Sequence, residues 1–322
     1  MIQEFIHLIL NSWLGMDPTS KLVIALDFFF YDTIKIMVLL YLVSMAMNFV
    51  NAYLPIEKIR SFLLNENLFG FQYLFASFFG AVTPFCSCSS VPLFIGFVKG
   101  GIPLGVTFSF LITSPLVNEV AVAMFIGIFG FKVTAIYVVS GIFVGMFAGF
   151  ILGILKQEKY LSDWVKELLT KSISTRRAYV AEANTLFQKI SFASKESFQI
   201  IKGIFIYIVI GIAIGAAIHG YVPDDFFIQY ISRDNLFAIP IAVVIGIPLY
   251  SNAAGIIPII QVLVAKGIPI GTALAFMMAV VGLSLPEAML LKKVMQIRLL
   301  VTFFSVVGLC IITLGYFFNI IL

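Results

Sequence analysis

The sequence predicts an all-α polytopic membrane protein, built as two inverted repeats with broken helices and re-entrant hairpins. Three observations indicate this fold class. Hydrophobic residues make up 61% of the 322 residues and charged residues only 11%, whereas soluble domains carry roughly 25% charged residues. Long uncharged segments follow one another along the chain, and one motif recurs in its second half. A soluble protein would have too few charges to solvate its surface.

Six uncharged segments meet or exceed the roughly 20 apolar residues that a membrane-spanning helix needs. They are Asn67–Val98, Val133–Leu155, Gly203–Pro223, Asn235–Ala265, Gly267–Pro286 and Leu299–Leu322. Residues 1–22 are apolar but short, and they carry Glu4 instead of a basic region. This pattern predicts an N-terminal interfacial helix rather than a cleaved leader.

One polar segment divides the chain and sets its orientation. Between Lys156 and Lys202 the basic residues exceed the acidic ones by four, which equals the net charge of +4 for the whole chain. Loops rich in Lys and Arg stay in the cytoplasm. Residues 156–197 are therefore predicted to be a cytoplasmic basic linker between a first transmembrane repeat, 23–155, and a second, 198–322, with both termini outside.

A short motif indicates that the two halves are related. VKGGIPLG, residues 98–105, recurs as VAKGIPIG, residues 264–271, at a shift of 166 residues. The turn at Gly130–Lys132 is predicted to lie outside, whereas the matching turn of the second half carries Lys292, Lys293 and Arg298 and is predicted to lie in the cytoplasm. Corresponding turns on opposite sides predict repeats of opposite orientation. Inversion needs one segment in each half to enter and leave on the same side. Leu68–Lys99 and Asn235–Lys266 are long enough to form such hairpins.

Two proline-bracketed sequences are the predicted hairpin tips: TPFCSCSSVP, residues 83–92, and IPLYSNAAGIIP, residues 247–258. Proline disrupts the helical hydrogen-bond ladder, and freed backbone groups at membrane depth need protein or water partners. A further break is predicted where Ser114 would cap a new half-helix with Pro115 in its first turn, and again at Ser284 with Pro286. Inverted-repeat transporters bind their cargo where such breaks converge.

These motifs resemble a known family. TPFCSCSSVPL, TSPLVNE, PLYSNAAGIIP and MAVVGLSLPEAMLLKKV are similar to segments of the bacterial and archaeal predicted-permease family that includes organoarsenical efflux permeases, and the resemblance runs from about Asp27 to Tyr316. It implies a multi-spanning export permease of soft metal or metalloid species. Some relatives keep a cysteine in the second hairpin, where this chain has Tyr250, Ser251 and Asn252.

The Cys-Ser-Cys step offers soft ligands. Thiolates prefer thiophilic ions, and a trivalent arsenical can exchange hydroxyls for sulfur, so Cys86 and Cys88 are candidate metal or metalloid ligands. Packing of small residues at a hairpin tip is an equal alternative. A disulfide between positions i and i+2 is disfavoured by the Cα spacing, and neither His7 nor His219 completes a zinc-site spacing. The candidate cargo-binding residues are Cys86, Ser87, Cys88, Ser89, Ser90, Ser114, Asn118, Ser251 and Asn252.

Two acidic residues lie in apolar segments, Glu119 and Glu287. Ionisable groups at membrane depth mark proton relays or ion contacts, so both are candidates for proton coupling. The Ser284-to-Glu287 spacing also fits a capping box, in which the carboxylate satisfies a helix start. Cap formation is likewise the alternative for Asn118 and Asn252.

The sequence leaves three function classes open. A nucleotide-binding GxxxxGK[ST] motif is absent from it, which favours a secondary permease and predicts no enzyme activity and no cofactor. A membrane thiol oxidoreductase and a channel for a small solute are the alternatives. The predicted partners are the lipid bilayer of the cell membrane, a small-molecule or metalloid cargo and a possible homodimer, with no nucleic acid.

Overall fold

The computed structural model describes residues 20–53, 70–83, 87–167, 186–221, 237–249 and 253–322. Helices make up nearly all of this part of the chain, and no β-strand occurs in it. In chain order the helices are α1 (Lys21–Tyr53), α2 (Phe71–Val82), α3 (Ser87–Lys99), α4 (Leu104–Leu116), α5 (Glu119–Ile154), α6 (Leu186–Tyr221), α7 (Ala238–Gly246), α8 (Ala253–Ala265), α9 (Ile270–Gly282), α10 (Leu285–Val294) and α11 (Ile297–Ile321), with a 3₁₀ turn at Gln157–Tyr160. The predicted all-α polytopic membrane fold is confirmed.

Each predicted re-entrant segment consists of two short helices on either side of a break. The helices α2 and α3 contain 12 and 13 residues, and α7 and α8 contain 9 and 13. At about 1.5 Å per residue none is longer than about 20 Å, whereas the hydrocarbon core is about 30 Å thick. No helix of either pair can therefore cross a bilayer alone.

The long helix α5 is two helices joined by a sharp turn at Gly130. Gly130 has φ 79° and ψ 170°, a conformation that glycine adopts easily because it has no Cβ. The rings of Phe125 and Tyr137 stack with centroids 4.7 Å apart, although twelve residues of continuous helix would separate them by about 18 Å. The chain thus reverses at Gly130, where the sequence predicted a turn.

The helix α4 lies antiparallel to the returning part of α5, residues 131–154. A Cβ on Gly141 would overlap the Val117 side chain at one end of the contact. A Cβ on Gly149 would lie 2.7 Å from the Gly105 carbonyl oxygen near the other end. The helix α4 therefore begins at the end of the molecule where α5 finishes.

Two backbone hydrogen bonds fasten that end of the molecule to the second half of the chain. Ser162 N donates to Val294 O at 2.9 Å and Gln296 N donates to Tyr160 O at 2.8 Å, on either side of an antiparallel bridge between Leu161 and Met295. We call this end of the molecule, formed by residues 155–164 and 295–298, the linker face. The finish of α10 lies on it.

The two halves of the chain consequently run in opposite directions. In the first half, α4 starts at the linker face. In the second half, α10 finishes there, and because α9 and α10 form one bent pair with an angle of 41°, α9 starts at the opposite end. This is the geometry that inverted repeats require. Which side of the membrane the linker face occupies stays a prediction, as do the proposed repeat boundaries.

The packing repeats at the same shift of 166 residues as the sequence. A Cβ on Gly80 of α2 would lie 2.9 Å from Phe110 O and 3.2 Å from Ser114 N of α4. A Cβ on Gly246 of α7 would lie 3.2 Å from Phe276 O and 3.3 Å from Val280 N of α9. Because all three positions shift together, the outer hairpin helix is seated on its neighbour in the same way in both halves.

Two of the predicted segments meet the limits of the described helices. The helix α6 begins at Leu186, inside the segment assigned to the linker. The N-terminal interfacial helix predicted for residues 1–22 falls almost wholly outside the described residues.

Candidate functional site

The breaks of the two halves meet at the centre of the molecule. A Cβ on Gly282, at the end of α9, would lie 2.8 Å from Leu116 Cδ2 at the end of α4. These positions are again 166 residues apart, so they face each other across the pseudo-twofold relationship. Leu285 N, just after the second break, donates to Ile247 O at the second hairpin tip, at 2.8 Å. The second tip and the two helix breaks thus adjoin one another.

Each half also contributes a hairpin helix to the other half. The helix α3, which carries the Cys/Ser sequence, packs against α10 as well as against α4. The helix α8 packs against α5 as well as against α9. A site at the centre would therefore be lined from both halves.

The first tip is shorter than the sequence predicted. The helix α3 already begins at Ser87, so Ser87, Cys88, Ser89 and Ser90 form its first turn and Pro92 lies inside it. Proline is tolerated in a membrane helix where neighbouring groups satisfy the freed carbonyl. Pro92 therefore lies within α3 and does not end the tip as predicted. Cys86 lies outside the described residues, as do the side chains of Ser87, Cys88 and Ser89.

Ser90 and Ser114 come together between α3 and α4. Both side chains are fully buried, and their hydroxyl oxygens are 2.9 Å apart in a hydrogen bond. The prediction that Ser114 caps a new half-helix was wrong, because Ser114 and Pro115 lie within α4 and the break follows at Val117. Two cap-forming residues stand four positions apart, and the chain uses the later one, Asn118.

Asn118 and Ser284 are the helix caps at the two central breaks. Asn118 Oδ1 accepts a hydrogen bond from Ala121 N at 2.8 Å and starts α5. Ser284 Oγ accepts from Glu287 N at 3.4 Å and starts α10, with Pro286 in the first turn as predicted. Each cap satisfies one of the free N–H groups of a helix start.

The two glutamates occupy different environments. Glu119 is the first residue of α5 and is exposed, whereas Glu287 is the third residue of α10 and only 3% exposed. A step of two residues rotates a side chain by about 200° around a helix with 3.6 residues per turn. Because Glu119 is the first residue of its helix and Glu287 the third, the two carboxylates point to different sides of their helices. One is exposed and the other is buried.

The second tip is only partly described. The helix α7 ends at Gly246, α8 begins at Ala253, and Ser251 and Asn252 lie outside the described residues, as does Tyr250. In the part of the chain that can be examined, no three His, Cys, Asp or Glu side chains come together as a metal site would require. The thiols and polar groups of the tips stay the candidates.

Two features of the centre were missed from the sequence. Tyr137 is fully buried, and its hydroxyl donates to the Leu116 carbonyl at the end of α4. Glycines at positions 141, 145, 149 and 153 line the face of α5 against α4. Their four-residue spacing is visible in the sequence and is a pattern of close helix contact in membranes, so it could have predicted this pair.

Short helices in pairs, bent spans and central breaks drawn from two oppositely directed halves are features that many membrane transporters share. The chain belongs to the predicted permease family, whose model matches residues 21–320. It is a multi-pass protein of the cell membrane and a membrane permease, as the family predicts.

Two curated relatives are distant in sequence. A UPF0718 protein of Methanocaldococcus jannaschii is 23% identical over 301 residues, covering 78% of this chain and 82% of the relative. A putative two-component membrane permease complex subunit of Streptococcus mutans is 25% identical over 177 residues, covering 54% of this chain and 56% of the relative. No solved structure matches the chain.

Proposed function

We propose that this permease exports a small thiophilic or metalloid species, such as a trivalent organoarsenical, by secondary transport through a central site formed by the two hairpin tips. The observation that supports the proposal is the meeting of the helix breaks at Leu116 and Gly282, next to the second tip at Ile247. In membranes, irregular backbone is tolerated only where protein or a wet cavity surrounds it.

In this proposal the thiolates of Cys86 and Cys88 hold the cargo, because sulfur ligands select soft ions. Ser87, Ser89, Ser251 and Asn252 contribute polar groups to the lining. The hydroxyls of Ser90 and Ser114 are hydrogen-bonded to each other, so they hold α3 against α4. Asn118 Oδ1 caps α5, which leaves its amide N–H groups to face a cargo or water.

We also propose that the permease acts with a protein partner. The Streptococcus mutans relative carries the name of a complex subunit, and by analogy this permease would work with a second membrane component or as a homodimer. Sedimentation of the purified protein in detergent separates a single chain from either assembly.

Transport by everted membrane vesicles tests the function. Vesicles that contain the protein are expected to accumulate a trivalent organoarsenical when a proton gradient is imposed, and to lose most of the uptake when an ionophore removes the gradient. Failure to move arsenicals, other thiophilic ions or small sulfur compounds under any gradient would overturn the proposal. Non-saturating flux with single-channel currents would indicate a channel instead.

Replacing the buried carboxylate tests proton coupling. Glu287→Gln is expected to keep cargo binding and to abolish the pH dependence of flux, because an amide retains hydrogen bonds but cannot release a proton. Glu119→Gln is expected to have a smaller effect in the same direction, since its carboxylate is exposed. Glu158→Gln, on the exposed 3₁₀ turn, is the matched control. A folded Glu287→Gln protein with unchanged pH dependence would contradict the role.

A further inference from the structure

An apolar groove of about 770 Å³ lies between the returning part of α5 and α11. These two helices run antiparallel, and the residues that line the groove occupy equivalent places in the two halves. The lining residues are Val139, Ser140, Phe143, Val144, Phe147 and Ile151 on α5 with Val306, Leu309, Cys310, Thr313, Leu314 and Phe317 on α11. Both helices are long and apolar enough to span the membrane. The groove on their side is therefore accessible to the acyl chains of lipids.

The groove continues as an exposed apolar path towards the linker face. It ends at the level of Ile151 and Val306. Beyond that level Ile154 and Leu155 continue the same side of α5 and are exposed. Arg298 stands eight residues before Val306, which is about 12 Å along the helix. The path therefore leads from the groove towards a charged group at the linker face.

A cluster of cations and aromatic rings stands at the head of this path. The Lys159 Nζ is 5.0 Å, and the Arg298 Cζ 5.9 Å, from the centroid of the Tyr160 ring. Both cationic residues are exposed. A hydrogen bond from Arg298 to the Tyr160 hydroxyl and the charge of Lys159 hold the pKa of Tyr160 below its usual value. Three donors thus converge on one exposed position.

The backbone fixes the position of these donors. Tyr160 and Gln296 are joined by the hydrogen bond described above, and Leu161 and Met295 are buried beneath the surface. Nearby, the Lys293 Nζ lies 5.3 Å from the centroid of the Trp164 ring. The acidic groups of the described residues in the same region are Glu158, Asp163 and Glu167, and Asp163 is paired with Lys166 at 3.3 Å. The cationic donors are therefore held together by a folded clip and not by a flexible tail.

We propose that this cluster and groove bind one anionic phospholipid from the leaflet at the linker face. Its phosphate accepts hydrogen bonds from Arg298, Lys159 and the Tyr160 hydroxyl, and an acyl chain follows Leu155 and Ile154 into the near half of the groove. Basic pockets between transmembrane helices bind anionic head groups, and an arginine fork matches phosphate oxygens. At the opposite mouth, near Val139 and Phe317, no described cation contacts an aromatic ring.

Lipid titration of the full-length protein tests this site. Binding of phosphatidylglycerol and phosphatidylcholine with the same acyl chains is measured by native mass spectrometry in detergent. The wild-type protein is expected to prefer phosphatidylglycerol, and Arg298→Gln or Lys159→Gln to lower that preference about fivefold each, since each cation near a charged membrane surface contributes about 1 kcal/mol. Arg298→Lys should retain part of it. Lys132→Gln, an exposed cation at the turn after Gly130, is the matched control.

Competition experiments and a groove variant distinguish the contribution of the lipid head group from that of the acyl chain. Short-chain phosphatidylglycerol is expected to compete poorly with the long-chain lipid, because it leaves the groove empty, and free phosphate is expected not to compete at all. Leu309→Trp, which fills the groove without changing a charge, should weaken long-chain binding only. Equal binding of both head groups by the wild type, an unchanged preference in the Arg298→Gln/Lys159→Gln protein, or full displacement by free phosphate would overturn the proposal.

Discussion

The Cys86→Ser/Cys88→Ser double variant is expected to lose export of a trivalent organoarsenical by at least about tenfold, because hydroxyl oxygen replaces the soft sulfur that a thiophilic ion prefers. Thermal stability should remain near that of the wild type. Export by everted vesicles and unfolding of the purified protein are measured on the same preparations. We therefore expect the largest loss of export from changing these two residues at one hairpin tip.

Cys310 provides the control for this experiment. It is a free thiol that lines the groove between α5 and α11, so Cys310→Ser should export normally. Normal export by the double variant would show that the thiols do not bind the cargo, and Ser87, Ser89, Ser90, Asn118 and Asn252 would become the better candidates. A packing role would instead change stability by about 1–3 kcal/mol and leave the choice of cargo alone.

Gly145→Leu is expected to prevent the protein from folding, and Gly145→Ala to lower its free energy of unfolding by about 1–3 kcal/mol. A Cβ at this position overlaps Thr113 Oγ1 and lies 3.0 Å from Thr113 Cβ and 3.1 Å from Ser109 O. The helix α4 is buried along its whole length, so it cannot move aside. Thermal unfolding in detergent, followed by size-exclusion chromatography, measures the effect.

Gly127→Ala is the matched control, because a Cβ there meets nothing within 4 Å and the residue lies on the same α5. It should be neutral or slightly stabilising, since alanine favours helix over glycine. Thr113→Ala in the Gly145→Ala background should recover part of the loss by removing the overlapping oxygen. Equal stability of Gly145→Ala and Gly127→Ala would contradict the close contact of α4 with α5.

The sequence predicted the hairpins, the Gly130 turn and the internal repeat because each depends on local chemistry. Gly130 adopts a backbone conformation that few other residues reach. The two hairpin segments are too long for one span and too rich in proline for one straight helix. The shift of 166 residues follows from pairs such as Gly105 and Gly271, which the packing of both halves requires to be small.

The positions of individual caps could not be predicted, because several residues compete for each role. Ser114 with Pro115 forms a helix-start pattern, yet Asn118 provides the cap and Ser114 pairs with Ser90 of another helix. Only tertiary packing decides between them. The clip between Leu161 and Met295 joins residues 134 positions apart, and nothing in either short segment predicts its partner.

The most direct test of the account is the coordination of a bound trivalent arsenical, measured by X-ray absorption at the arsenic edge. The protein carries Cys310→Ala, so that Cys86 and Cys88 are its remaining thiols. We expect sulfur neighbours around arsenic, and their replacement by oxygen when Cys86 and Cys88 are also changed to Ser. Arsenic that binds specifically to the Cys310→Ala protein with only oxygen neighbours would contradict a thiol site at the hairpin tip.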